Sequence, residues 1–106
     1  MDDKEQLGLK IRSLRKSKKI TQEKLSEIIG ISPRQMVKIE MGHTFPTIEV
    51  LKKIAAVLGV SVRNLFDNEY YDDCEVVKEK LYSKINSLNE KNIRFLYIVA
   101  SNLEGF

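Results

Sequence analysis

Along the first two-thirds of the chain, apolar residues return at intervals of three and four, the spacing that lines one face of an α-helix. Leu7, Ile11 and Leu14 predict a first helix over about residues 4–18. Thr21 has the chemistry of an N-cap, and Glu23 suits the positive end of the helix it opens. Leu25, Ile28 and Ile29 give that second helix an apolar face, and Gly30 ends it. Ser32-Pro33-Arg34-Gln35 combines a capping-box spacing with Pro at the first helical position, and starts a third helix that runs to Met41 before Gly42. Thr47 opens a fourth helix with Val50, Leu51, Ile54, Ala55 and Leu58 inward. After Gly59, Ser61 opens a short fifth carrying Leu65 and Phe66.

Residues 67–72 are polar, include Tyr70 and Tyr71, and read as a junction. Beyond it Val77, Leu81, Ile85 and Leu88 form an apolar stripe at helical spacing. Asn89 then caps a seventh helix with Ile93, Leu96, Tyr97, Ala100 and Leu103 on one side. Phe95 to Val99 also has strand propensity, but no second strong strand exists to pair with it. The pattern predicts an all-α chain: a five-helix domain over residues 1–67 and a C-terminal helical hairpin within residues 68–106.

Composition narrows the class. With 106 residues, 42% hydrophobic and 31% charged, the chain has the length of one domain and enough apolar surface to bury a core without staples. Its longest uncharged stretches, Ile54 to Val62 and Phe95 to Asn102, fall far short of the roughly 20 residues that span a bilayer. Met1-Asp2-Asp3 is acidic where a signal peptide is basic, so a cytoplasmic protein that does not enter membranes is expected. One cysteine, Cys74, and one histidine, His43, form neither an internal disulfide nor a metal site of usual spacing. They also offer no nucleophile–base pair, so neither an enzyme nor a cofactor is expected.

Charge adds a partner. Residues 1–66 carry 13 Lys+Arg against 7 Asp+Glu, whereas residues 67–106 carry 5 against 8. Within the basic part, Lys10, Arg12, Arg15, Lys16, Lys18, Lys19 and Lys24 meet only Glu23. A cluster of this kind suits a polyanion, although a solvated helix face has the same composition.

The third helix bears on which polyanion that would be, although a plain charged face that tolerates one valine has the same pattern. Gly30-Ile31-Ser32 is too short to let helices two and three lie antiparallel and is right for a perpendicular helix-turn-helix, with small Ser26 at the crossing. At about 100° per residue, Met36, Ile39 and Glu40 point one way and Arg34, Val37, Lys38 and Met41 the other. A face needing only solubility has no use for Val37 between two cations. A reader of the DNA major groove needs both donors and a methyl contact.

The segment Leu7-Gly8 … Arg12 … Leu14-Arg15 … Thr21-Gln22-Glu23-Lys24-Leu25-Ser26 … Gly30-Ile31-Ser32 … Ile39-Glu40-Met41-Gly42 … Pro46-Thr47 … Leu51 … Ala55 … Leu58-Gly59-Val60-Ser61 … Leu65-Phe66 resembles the lambda-repressor/Cro-like, XRE-type DNA-binding domain. The resemblance covers Leu7 to Phe66 and leaves the last forty residues outside it. It implies that Ser32, Pro33, Arg34, Val37 and Lys38 approach base edges of double-stranded DNA. It also implies that Gln22 clamps a phosphate, and that Gln35, His43 and Thr44 contact the backbone. His43 stands where the family usually has a loop cation. Arg15 and Glu40 match a structural ion pair rather than a contact with DNA.

One recognition helix, residues 33–41, reads only a few base pairs. Specific control normally uses two copies about one DNA turn, roughly 34 Å, apart. A homodimeric repressor on a palindromic operator is therefore expected, held either by the C-terminal hairpin or by helices four and five. The alternative is an antitoxin or protein-interaction adaptor whose residues 70–106 bind a partner protein; Tyr70 and Tyr71 are candidates for holding a peptide.

Overall fold

The structure, a computed structural model, describes residues 2–67 and 73–103. Its elements are α1 (Asp3–Ser17), α2 (Gln22–Ile29), α3 (Pro33–Glu40), α4 (Ile48–Leu58), α5 (Val62–Leu65), α6 (Cys74–Ser87) and α7 (Glu90–Ser101), with no strand among the described residues. Two units emerge, Met1–Asn68 and Glu69–Phe106. Tyr70 and Tyr71 lie outside the described residues.

In the first unit, short polar side chains start the helices where the sequence places them. The hydroxyl oxygens of Thr21, Ser32, Thr47 and Ser61 accept the amides of Lys24, Gln35, Val50 and Asn64 at 3.0, 3.1, 3.3 and 3.1 Å. Each such cap contributes about 1 kcal/mol by satisfying an amide with no partner inside its helix. The cap of α1 is Asp2, whose carboxylate accepts the Glu5 amide at 2.9 Å. Gly30, at φ 82°, ends α2 in the left-handed conformation that only glycine adopts without strain, and Pro33 follows as the first residue of α3. A three-residue turn with this geometry aims α3 away from α2.

The core of this unit joins all five helices through Leu7 and Ile11 of α1, Leu25 and Ile29 of α2, Met36 and Ile39 of α3, Leu51, Ile54, Ala55 and Leu58 of α4, and Val62 and Leu65 of α5. Close approach of α1 to α3 depends on Gly8: a Cβ there would lie 2.6 Å from the Ile39 carbonyl oxygen and closer still to that of Glu40. Two expected core positions face outward. Ile28 is 52% exposed because adjacent helical residues diverge by about 100°, and α2 has turned Leu25, Ser26 and Ile29 inward instead. Phe66, one residue beyond α5, is also exposed.

In the second unit, Asn89 Oδ1 accepts the Asn92 amide at 2.8 Å and starts α7, so the segment Phe95 to Val99 is helical. Leu81 and Ile85 of α6 and Ile93, Leu96, Tyr97 and Ala100 of α7 line one open cleft of about 300 Å³. Neither helix has a buried residue. Leu81 is 49% and Tyr97 73% exposed. No helix among the described residues is long and apolar enough to cross a membrane.

Candidate nucleic-acid interface

Eight residues of α3 divide between core and solvent. Met36, Ile39 and Glu40 are buried, Arg34 and Lys38 are exposed, and Val37 is half-buried between those two cations. Exposed Met41 caps the C-terminus of the helix. Ser32 and Pro33 are exposed at its start, where the Ser32 oxygen is engaged as an acceptor by the Gln35 amide and its hydroxyl hydrogen remains to donate. The Gln35 side chain is exposed. His43 and Thr44 are exposed in the loop after α3. The loop is tied back by the His43 amide donating to the Lys38 carbonyl at 2.9 Å and the Thr44 hydroxyl to the Phe45 carbonyl at 3.3 Å. The five residues with expected base contacts therefore cluster at the N-terminus and outer side of one helix.

Behind that face, Arg15 and Glu40 form a buried, bidentate ion pair. Arg15 Nε donates to Glu40 Oε2 at 2.7 Å and Nη2 to Oε1 at 3.0 Å, while Nη1 donates to the Ile20 carbonyl at 2.8 Å. Gln22, the first residue of α2, donates its Nε2 to the same Glu40 Oε1 at 2.9 Å. No buried side-chain nitrogen or oxygen among the described residues lacks a hydrogen-bond partner. A buried pair is tolerable only when its remaining donors and acceptors are met in this way. The network joins α1, the turn before α2, α2 and α3.

The Gln22 bond does not follow from sequence, because it depends on where α2 and α3 cross. Sequence reading also passed over the place of Arg12. It lines a polar cleft with Arg15, Thr21, Gln22 and Glu23 at the N-terminus of α2. Arg12 and Arg15 are three residues apart, one helical turn, and that spacing is the signal that puts Arg12 beside Gln22. The cleft, about 460 Å³, combines a guanidinium, a carboxamide and the first amides of a helix, which have no partner within it. Together with the positive end of the α2 dipole, these groups favour an anion, against the Glu23 carboxylate that also lines the cleft.

No group of three or more metal-capable side chains lies together among the described residues. Cys74 is exposed at the start of α6.

Comparison with known proteins places this geometry. A helix-turn-helix family profile matches residues 11–65. The immunity repressor protein of Bacillus phage phi105 is 30% identical over 87 residues, which are 82% of this chain and 56% of that protein. The cryptic phage CTXphi transcriptional repressor RstR of Vibrio cholerae is 30% identical over 94 residues, 89% of this chain and 84% of that one. Among solved structures, the restriction-modification controller protein C.AhdI from Aeromonas hydrophila superposes with a TM-score of 0.58 at 28% identity, over 60% of this chain and 97% of that chain. The chain spans about half the length of the phi105 repressor.

Proposed function

The chain belongs to the XRE-type helix-turn-helix family, whose members are DNA-binding transcription regulators, and on that premise we propose that it is a sequence-specific repressor that occupies a palindromic operator as a homodimer. The observation that carries this reading is the outward side of α3. Arg34 and Lys38 are exposed with half-buried Val37 between them, on a helix whose opposite side is spent on the core. In the major groove Arg34 donates bidentately to a guanine, Val37 meets a thymine methyl, and Lys38 reaches a second acceptor; Ser32 and Pro33 approach the base edges from the start of the helix. Gln22, Gln35, His43 and Thr44 hold backbone phosphates and so fix the register without reading sequence. Arg12 joins the phosphate contacts from its place in the cleft. Two similar proteins carry the name of repressor, and occupancy of an operator is by itself enough to block a promoter.

Dimerisation through the α6–α7 hairpin is favoured over α4 and α5. The outward residues of α4 include Glu49, Lys52 and Lys53, whereas the hairpin exposes Leu81, Ile93, Phe95, Tyr97 and Ile98 with nothing of its own buried. An apolar surface of that extent marks an interface. Its two helices mix both signs, Glu75, Glu79 and Glu90 with Lys78, Lys80, Lys84, Lys91 and Arg94, an excess of only two positive charges, so two copies meet without strong repulsion.

Selection of a binding site from random duplexes, followed by salt titration on the winner, tests the reading. The expected site is palindromic. Its affinity falls with salt at a slope of about −0.9 per phosphate neutralised. Recovery of no preferred sequence, with affinity insensitive to salt, would leave an adaptor or antitoxin whose hairpin binds another protein.

A further inference from the structure

We infer that Glu40 is a positioning residue for the DNA-backbone contact: its buried carboxylate orients the Gln22 carboxamide so that the second amide hydrogen faces a phosphate. The inference rests on Gln22 being a phosphate contact. A carboxylate only accepts, so the amide nitrogen of Gln22 must face Glu40, and the orientation of the carboxamide is fixed by chemistry. The carboxylate itself cannot swing away. Its side chain is 1% exposed, and both oxygens are held by Arg15, whose third nitrogen is tied to the Ile20 carbonyl.

One of the two Gln22 amide hydrogens is therefore committed inward, and the other remains for a partner outside. A free glutamine surrenders rotamer freedom on binding, a loss of up to about thirtyfold in affinity. Here the ordering is done in the folded protein. Glu40 brings a negative charge towards the phosphate, but Arg15 cancels it within the pair, and Arg12 adds a positive charge to the same cleft. Because Glu40 also ends α3, the group that sets the phosphate contact belongs to the helix that presents Arg34 and Lys38. Backbone register and base-reading helix thus share one reference point.

A double-mutant cycle on the full chain tests the coupling. Gln22→Ala, Glu40→Gln and the pair are titrated with the selected duplex and with an unrelated one, at a temperature where circular dichroism shows each variant folded. Gln22→Ala is expected to weaken both duplexes by about tenfold, and Glu40→Gln to weaken both several-fold in the natural background but not in Gln22→Ala. If Gln22→Ala changes neither affinity, the phosphate role of Gln22 fails and the inference with it. If Gln22→Ala weakens binding but the Glu40→Gln effect persists undiminished beside it, Glu40 acts only through the fold and the inference alone is overturned. Should Glu40→Gln not fold, ¹⁵N relaxation of side-chain amides in the unsubstituted chain decides. The Gln22 carboxamide is expected to be as ordered as rigid backbone, with an order parameter of about 0.85, and exposed Gln35 to be far more mobile. Equal mobility of the two overturns the inference.

Discussion

The two units of this chain use similar apolar spacing to opposite ends. In Met1–Asn68 the stripes of five helices converge, and twelve hydrophobic residues from Leu7 to Leu65 are buried. In α6 and α7 the stripes are as regular, yet not one residue is buried. Periodicity therefore identifies the face that will be covered and says nothing of what covers it. The first unit supplies its own cover; for the second, the cover proposed above is a second copy of the hairpin.

Substitutions at equivalent depth in the two stripes should separate these cases. The largest effect is expected from Arg15→Ala, which strands the Glu40 carboxylate in the core and should cost about 3–5 kcal/mol of stability in thermal or urea denaturation. DNA binding would disappear with the fold, so the variant must be read by circular dichroism before any binding assay. An unchanged melting temperature would show that the pair contributes nothing. Next comes Leu81→Glu, in the hairpin cleft. It should leave the melting of the first unit untouched and weaken self-association by about 2 kcal/mol, roughly thirtyfold in the dimer dissociation constant, as seen by sedimentation. A dimer of unchanged strength would break the comparison, because the tail would then be exposed without purpose in assembly. The smallest effect belongs to Thr47→Ala, which removes the cap of α4 and should cost about 1 kcal/mol of stability with no change in oligomeric state.

The parts of the fold legible in the sequence were those decided locally. Ser32 followed by Pro33 specifies the start of α3 from four neighbouring residues, and Gly30 and Gly59 end α2 and α4 by backbone geometry alone. The division of α3 into a Met36–Ile39 face and an Arg34–Lys38 face is also legible, because its cations fall opposite Met36 and Ile39 at the helical period. Ile28 shows the limit. Three apolar residues in an eight-residue helix fix the phase only within one position, and the packing of α2 against α3 and α4 chose Ile29 over Ile28. The bond from Gln22 to Glu40 spans 18 residues and depends on the helix crossing, so no local pattern announces it. Arg12 was readable only in part: the helical turn puts it beside Arg15, but its cleft needs α2 in place.

The outward face of α3 is the claim on which the gene-control reading rests, and Arg34→Ala tests it most directly. Relative affinities of this variant and the unsubstituted chain should be measured across single-base variants of the selected duplex at fixed salt. The expected result is a loss of about 1–3 kcal/mol on the preferred duplex, with discrimination relaxed at one base pair in each half-site and retained elsewhere. An equal loss on every duplex, with the base preference intact, would contradict the account and reduce Arg34 to a backbone contact.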